Sequence, residues 1–422
     1  MKKATLLLTF FACMAMLFTA CSDDDKTSEY AITLTANNDG TVSTNIGGTV
    51  DAEKAKAGDA ITLTATAADG YKFSRWVVTS ANLTLEDATA NPLTFTMPAS
   101  DVAIRAEFAE ENYTVYIAGS DYDGSKHYPC IWVDGVKQRL PSAGISTAAY
   151  AVYVSDNKVY VAGDDREATG KVACLWVDGV KQVLPSNGTD ATANSVFVSD
   201  GKVYVAGCDL GQPCLWVDGV KQTLPSTVAM FGSQAYKVSV LDGKVYVVGD
   251  AYDGAVWRAC LWVDGVAQVL PSSSALSASA ISVSVVDGKV YVVGEESDMY
   301  TAIACLWVDG VKEDLDSDGW AVAYSGYASN NKFYIAGGTT STSGYNPCLW
   351  VDGVRQMLPV EGTFYSAVAT DVCVAGGKVY AVGDVEVNSH SVSACLWVDG
   401  VKQDLPSEQR AYAYSIFVTP AQ

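Results

Sequence analysis

Histidine is almost missing from this chain of 422 residues, which contains only His127 and His390. So small a supply argues against histidine-based metal sites and against Ser-His or Cys-His catalysis. Positive charge is scarce as well, with 27 Lys and Arg against 48 Asp and Glu and a formal net charge of −21. Neutralising phosphates requires clustered basic side chains, so nucleic acid is excluded as a partner. Long apolar runs are confined to Leu6–Ala20, which is too short and wrongly flanked for a stable membrane span. Nucleophile elbows, phosphate-binding glycine loops and zinc motifs are absent. What remains, at 49% hydrophobic residues, can fill two or more cores.

The dominant feature that is present is a phrase built on Cys-Leu-Trp-Val-Asp-Gly-Val, repeated seven times between Cys130 and Ser407, with Ile131 replacing leucine in the first copy. Its tryptophans are Trp132, Trp176, Trp216, Trp262, Trp307, Trp350 and Trp397, separated by 44, 40, 46, 45, 43 and 47 residues. A period in this range marks a repeat array whose units bury their apolar faces against one another. Each unit divides into four short strands. Ser195–Val198 leads through Asp200-Gly201 into Lys202–Gly207, and Cys214–Val217 leads through Asp218-Gly219 into Val220–Leu224. Asp-Gly between two such runs predicts a type I′ hairpin, which needs positive φ at both central residues. Four antiparallel strands per unit predict an all-β, seven-bladed β-propeller.

Most fourth strands end in Leu-Pro-Ser, and proline lacks the N–H that a central ladder requires, so the fourth strand is read as the outer edge. The region opens with a second strand, Tyr113–Gly119, and finishes with a first strand, Tyr414–Val418. Pairing these two predicts closure of the first blade by the C-terminal strand. The tryptophans, together with Tyr116, Tyr160, Tyr204, Tyr246, Tyr291, Tyr334 and Tyr380, are expected to pack between blades. The seven repeated cysteines hold equivalent positions too far apart for bridges and read as buried small hydrophobes, whereas Cys208 and Cys214 leave one short disulfide open. With Trp-x-x-Gly on one strand and Val-x-Gly closing another, the pattern resembles HAF-type extracellular repeats and, more distantly, Kelch blades. That resemblance covers about 310 residues, 113–422, and implies a fold, not an activity.

Two segments precede the repeats. Residues 1–20 read as a signal peptide, because Lys2 and Lys3 precede the apolar run. Its end, Leu17-Phe18-Thr19-Ala20-Cys21, resembles a bacterial lipobox, which implies cleavage before Cys21 and lipid attachment there. Residues 21–28 form an acidic tether, in which Ser22-Asp23-Asp24-Asp25 resembles the signal that exports some Gram-negative lipoproteins to the outer face of the outer membrane. Residues 29–110 alternate with period two and are punctuated by Asp39-Gly40, Gly47-Gly48 and Asp69-Gly70, which predicts a separate small β domain. Gly70–Trp76, Asn91–Pro98 and Val102–Phe108 resemble the divergent internalin-type B-repeat, with Phe73 and Trp76 expected in its core.

Function is expected where the repeats differ. At one position near the start of the innermost strand stand Tyr150, Asn194, Tyr236, Ile281, Tyr324, Thr370 and Tyr414. Four tyrosines there, with Trp257, Trp320, Phe364, Tyr365 and Tyr412 nearby, offer stacking surfaces for a sugar or a protein partner. The segments between second and third strands are read as acidic loops, carrying Asp121, Asp164, Asp250, Glu295 and Asp384. Asp121-Tyr122-Asp123-Gly124 and Asp316-Ser317-Asp318-Gly319 have the character of calcium loops without the distal glutamate, so calcium is at most a minor expectation and no other cofactor is implied. No carboxylate pair stands out as catalytic. The resulting expectation is a monomeric, lipid-anchored, outer-surface protein that binds a glycan or a protein without catalysis. A glycan-degrading enzyme and an inert spacer are the alternatives.

Overall fold

The computed structural model describes residues 28–421, apart from 38, 47, 145, 169, 226–231, 274–275, 299, 341–343 and 389. The signal segment, Cys21 and the acidic run after it lie outside the described residues. The described chain is all-β, without a helix, and divides into two compact units at the boundary between Ala109 and Glu110.

The first unit contains two four-stranded sheets. One has the order Lys54–Lys56, Glu29–Ala36, Val102–Glu110 and Tyr71–Val78, in which Glu29–Ala36 and Val102–Glu110 run parallel. The other has the order Thr49–Val50, Gly40–Ile46, Ala60–Ala67 and Leu93–Thr96. Alternation along Ala60–Ala67 turns Ile61, Leu63 and Ala65 into a core shared with Ile32, Leu93, Phe95 and Ile104. Trp76 is buried in that core and donates its indole N–H to the Ala90 carbonyl at 2.9 Å, while Phe73 packs partly buried beside it, 5.2 Å between ring centroids.

The second unit contains seven four-stranded antiparallel sheets. Their first strands are Arg410–Pro420 (sheet 1), Thr147–Ser155 (sheet 2), Ala191–Ser199 (sheet 3), Gln234–Leu241 (sheet 4), Ser277–Val286 (sheet 5), Ala321–Ser329 (sheet 6) and Ser366–Ala375 (sheet 7). Within sheets 2 to 7 the strand order follows the chain, and the fourth strand is an edge, as the proline and lysine content predicts. In sheet 1 the C-terminal strand pairs with Tyr113–Tyr122, from Arg410 opposite Tyr122 to Pro420 opposite Tyr113. The first strands contact one another in succession from sheet 1 to sheet 7, and sheet 7 contacts sheet 1.

Local chemistry explains why every repeat folds alike. In the hairpin Asp134-Gly135 both φ angles are positive, 48° and 77°, and the other repeats match. The aspartate also ties the hairpin to the neighbouring second strand, because Asp134 Oδ1 accepts the Val115 N–H at 2.9 Å, as Asp178 does for Val159 and Asp218 for Val203. All seven tryptophans of the phrase are fully buried. Each donates its indole N–H to a backbone carbonyl just beyond the fourth strand of the preceding sheet: Trp176 to Pro141 at 2.8 Å, Trp216 to Pro185 at 2.8 Å, and Trp132 to Pro406 at 2.9 Å. That last bond joins sheet 1 to sheet 7. Proline at this place is therefore more than an edge residue, since its carbonyl receives the next sheet. Asp316 replaces it once and still accepts from Trp350 at 2.8 Å, because any backbone carbonyl serves.

Tyr160 and Leu175 of sheet 2 pack with Cys214 and Trp216 of sheet 3 in one core, and Tyr380 and Leu396 of sheet 7 pack likewise with Cys130 and Trp132 of sheet 1. The repeated cysteines are free and buried. Burial pushes their thiols up, those of Cys174, Cys260, Cys305 and Cys348 to about 12, which keeps them inert. Cys208 and Cys214 form no bridge. Register explains why: Cys208 faces Pro213, and Cys214 faces Gly207.

Candidate functional site

Each first strand contains one β-bulge, and the residue left without a ladder partner is the ring position: Tyr150, Asn194, Tyr236, Ile281, Tyr324, Thr370 or Tyr414. A bulge re-aims the side chain of its extra residue. Here all seven line one cavity of about 420 Å3. Opposite each bulge sits the glycine of the Val-x-Gly pattern. A Cβ on Gly163 would lie 2.1 Å from the Ala148 carbonyl oxygen, and one on Gly207 would lie 1.9 Å from that of Thr192. The glycine is there because the bulge pushes a carbonyl into its side-chain space.

One tier deeper, small polar residues tie neighbouring sheets together around the cavity. Asp371 accepts from Ser325 Oγ and from the Ile416 N–H at 2.9 Å, and Ser195 Oγ accepts the Val238 N–H at 3.3 Å. Lys237 stands at the same tier and makes no ion pair with the described residues.

The carboxylates assigned to loops lie in strands instead, because the second and third strands run longer than expected: Lys158–Glu167 carries Asp164 and Asp165, and Lys378–Asn388 carries Asp384. Alternation along these strands divides the acids into two sets. Asp121, Asp165, Asp209 and Glu296 point away from the cavity and pair with Lys137, Lys181, Lys221 and Lys312 of their own fourth strands. Burial pushes the Asp165 carboxyl up, but Lys181, the Ala143 N–H and the Ser142 hydroxyl outweigh it and hold the group below the ordinary value. Asp121, named as a ligand contact, is therefore a buried structural ion that also accepts the Glu408 N–H at 3.1 Å. The calcium-like loops are filled by protein donors as well. Asp123 accepts the N–H groups of Ser125 and Lys126, the Asp316 backbone carbonyl holds Trp350, and Asp318 pairs with Arg355. Among the described residues no three His, Cys, Asp or Glu side chains are placed to hold a metal ion.

The second set faces the ring. Tyr150 OH donates to Asp164 at 3.2 Å, Tyr236 OH donates to Asp250 at 2.9 Å, and Tyr414 OH shares a hydrogen bond with Ser120 Oγ at 3.3 Å. Asp164 also pairs with Lys171 at 3.3 Å beside a second cavity of about 250 Å3, lined in addition by His127 and Arg166. Asp164, Asp250 and Glu295 are all raised above the ordinary carboxylate value, burial being the first cause. Asp384 lines the ring cavity itself, and burial, then the charge of Glu386, pushes it up to about 7. Sequence reasoning found no carboxyl in an apolar setting, because the setting is made by neighbouring sheets. Of the aromatics near the ring position in sequence, Trp320 and Tyr365 are exposed, whereas Phe364 and the strand residues Trp257 and Tyr412 are half-buried.

The raised Asp384 has a measurable consequence. Unfolding releases its carboxyl to an ordinary value near 3.8, so the folded state loses stability relative to the unfolded chain as pH rises from about 4 through 7. A difference of about three units corresponds to roughly 4 kcal/mol at most. Asp384→Asn is expected to raise the melting temperature at pH 8 and leave it nearly unchanged at pH 4. An equal shift at both pH values would rule out ionisation as the cause.

No curated protein sequence matches the chain. In structure the chain is similar to the β-propeller domain of the Trilobed protease from Pyrococcus furiosus, with 12% identity, a TM-score of 0.44 and coverage of 71% of this chain and 94% of that one. It is similar to the acylaminoacyl peptidase from Pyrococcus horikoshii at 16% identity and a TM-score of 0.44, covering 71% of this chain but only 51% of the peptidase, about half its length. A quinonprotein alcohol dehydrogenase-like protein from Bacteroides thetaiotaomicron matches at 9% identity and a TM-score of 0.41, covering 93% of this chain and 97% of that one. The N-terminal unit is similar to the divergent InlB B-repeat domain, whose family model matches residues 30–112.

Proposed function

We propose that this chain is a lipid-anchored bacterial surface protein whose seven sheets form a seven-bladed β-propeller, and that the propeller is a non-catalytic binding module for a glycan or another protein. The observation that carries the reading is the convergence of seven bulge residues, four of them tyrosines, on one cavity. A concave, largely apolar site with a few fixed polar groups is the form that small-ligand recognition takes. Cys21 would hold the lipid, the acidic run after it would direct the protein outward, and the B-repeat-like unit would separate anchor from propeller in chain order. Mass spectrometry of Cys21 in protein from intact cells reads the anchor directly, and an unmodified Cys21 would remove it from the proposal.

The full chain, screened on glycan and protein arrays, is expected to bind. Replacing Tyr150, Tyr236 and Tyr324 together by alanine is expected to weaken that binding about tenfold or more, since each aromatic contact is worth ~0.5–1.5 kcal/mol beyond its buried area. Undiminished binding by a folded triple variant would move the site elsewhere. One observation favours a second reading, a carboxyl-based glycan-degrading enzyme: Asp384 is poised near neutrality inside the cavity. Product release from a polysaccharide, lost in Asp384→Asn, would establish that reading over the first.

A further inference from the structure

The cavity is not symmetrical in its unused hydrogen-bonding capacity. Around most of the ring the polar side chains are already occupied. Tyr150 and Tyr236 donate to carboxylates and Tyr414 bonds Ser120. Asn194 donates to the Ala235 carbonyl at 2.9 Å, and Thr370 to the Val382 and Ala413 carbonyls at 3.1 and 2.7 Å. Ser325 is bonded to Asp371, and Ser415 Oγ accepts the Val152 N–H at 3.4 Å. Three cavity-lining groups have no hydrogen-bond or ion-pair partner among the described residues: the Tyr324 hydroxyl, the Asp384 carboxyl and the Lys237 ammonium.

The repeats explain why these three are left over. In sheets 1, 2 and 4 the ring tyrosine meets an acceptor on its own second strand, just after the glycine: Ser120, Asp164 or Asp250. In sheet 6 that place is Gly338, which offers Tyr324 no side chain. In sheet 7 the acceptor is present as Asp384, but the ring residue is Thr370, which is bonded elsewhere. A tyrosine without its acceptor and an acceptor without its tyrosine therefore stand on adjacent sheets, both lining the cavity. Lys237 stands on sheet 4, three sheets from Asp384 in the ring.

Resting on the binding-module reading, we infer that Tyr324, Asp384 and Lys237 are the recognition points of the cavity, and that their ligand is a neutral pyranose at the end of a glycan. The chemistry fits on three counts. Hydroxyl groups both donate and accept, so one sugar ring can donate to Asp384 while accepting from Tyr324 and Lys237. Lys237 offsets carboxylate charge at the cavity wall, where Asp384 and the already bonded Asp371 both stand, which suits an uncharged ligand in a chain of net charge −21. The remaining wall, with tyrosine rings, Ile281 and Val368, suits the C–H faces of a pyranose.

The test is calorimetry on the full chain with a panel of methyl pyranosides of glucose, galactose, mannose, xylose and N-acetylglucosamine. Free amino acids and a bound-protein screen serve as comparisons. At least one pyranoside is expected to bind. Asp384→Asn and Lys237→Met are each expected to weaken it about tenfold or more, and Tyr324→Phe about threefold or more, as charged and neutral hydrogen bonds warrant. Lys202→Met, at an exposed strand start outside the cavity lining, is expected to leave it within about twofold. Melting curves check that each variant is folded. Where a variant fails to fold, NMR contacts from the bound pyranoside to the Tyr324 ring of the parent decide instead. Sugar binding insensitive to all three substitutions would overturn this assignment and leave the binding module standing. Binding of a protein or an amino acid with no pyranoside binding would overturn the ligand class. Binding of nothing would overturn both.

Discussion

Deletion of residues 410–422 is expected to abolish the cooperative melting of the repeat region. The deletion removes the first strand of sheet 1, and with it the ladder opposite Tyr113–Tyr122. Ile416 and Val418 leave the core they share with Ile117, Trp132 and Tyr380, and burial of two such side chains contributes about 3–6 kcal/mol. The buried Asp371 also loses the Ile416 N–H that it accepts. Against a total stability of roughly 5–15 kcal/mol, this is enough to unfold the unit. Tryptophan fluorescence reports it cleanly, because nine of the ten tryptophans lie beyond residue 110. A truncated chain that melts within about 2 °C of the parent, a shift of little more than 1 kcal/mol for a unit of this size, would mean that the C-terminal strand does not hold the ring together.

Trp132→Ala is expected to be the most damaging single substitution in the repeated phrase. It empties a fully buried site between sheets 1 and 7 and removes the bond to Pro406 that joins them. Truncating a buried tryptophan costs about 3–5 kcal/mol. Trp132→Phe keeps much of the volume but leaves the Pro406 carbonyl without its donor, which costs about 1–3 kcal/mol. Pro406→Ala, by contrast, is expected to cost less than about 1 kcal/mol, because the acceptor is the backbone, as Asp316 shows by receiving the sixth sheet. Urea melts of the three variants give the order. A Pro406→Ala variant as unstable as Trp132→Phe would show that the ring of proline, not its carbonyl, matters.

Much of this was legible in the repeats because its chemistry is local. Asp-Gly makes a hairpin wherever it stands between two strands, and an extra strand segment at each end of a repeat array has to be paired. The ring of tyrosines was visible for the same reason, as one position compared across seven copies. What made it converge was not. A bulge adds a residue without changing residue type, and its only trace is the glycine across the ladder, such as Gly163 opposite Ala149. The acids misled for a different reason. Asp121, Asp165, Asp209 and Glu296 look like loop charges, since the lysines that neutralise them sit 12 to 16 residues further on and two strands away. The role of proline was half seen, because the partner of its carbonyl belongs to the next repeat.

The pairing of the first sheet with the last strand has a consequence in time. Ser120 and its partner Tyr414 are 294 residues apart, so a chain that emerges N-terminus first passes through a long interval in which one is present without the other. Throughout it the strand Tyr113–Tyr122 has an unpaired edge, while six sheets with nearly interchangeable strands emerge behind it. The ring therefore cannot grow from its beginning. Its first sheet has to wait for the last strand to be made, and whatever shields that edge in the meantime governs how much of the protein closes correctly.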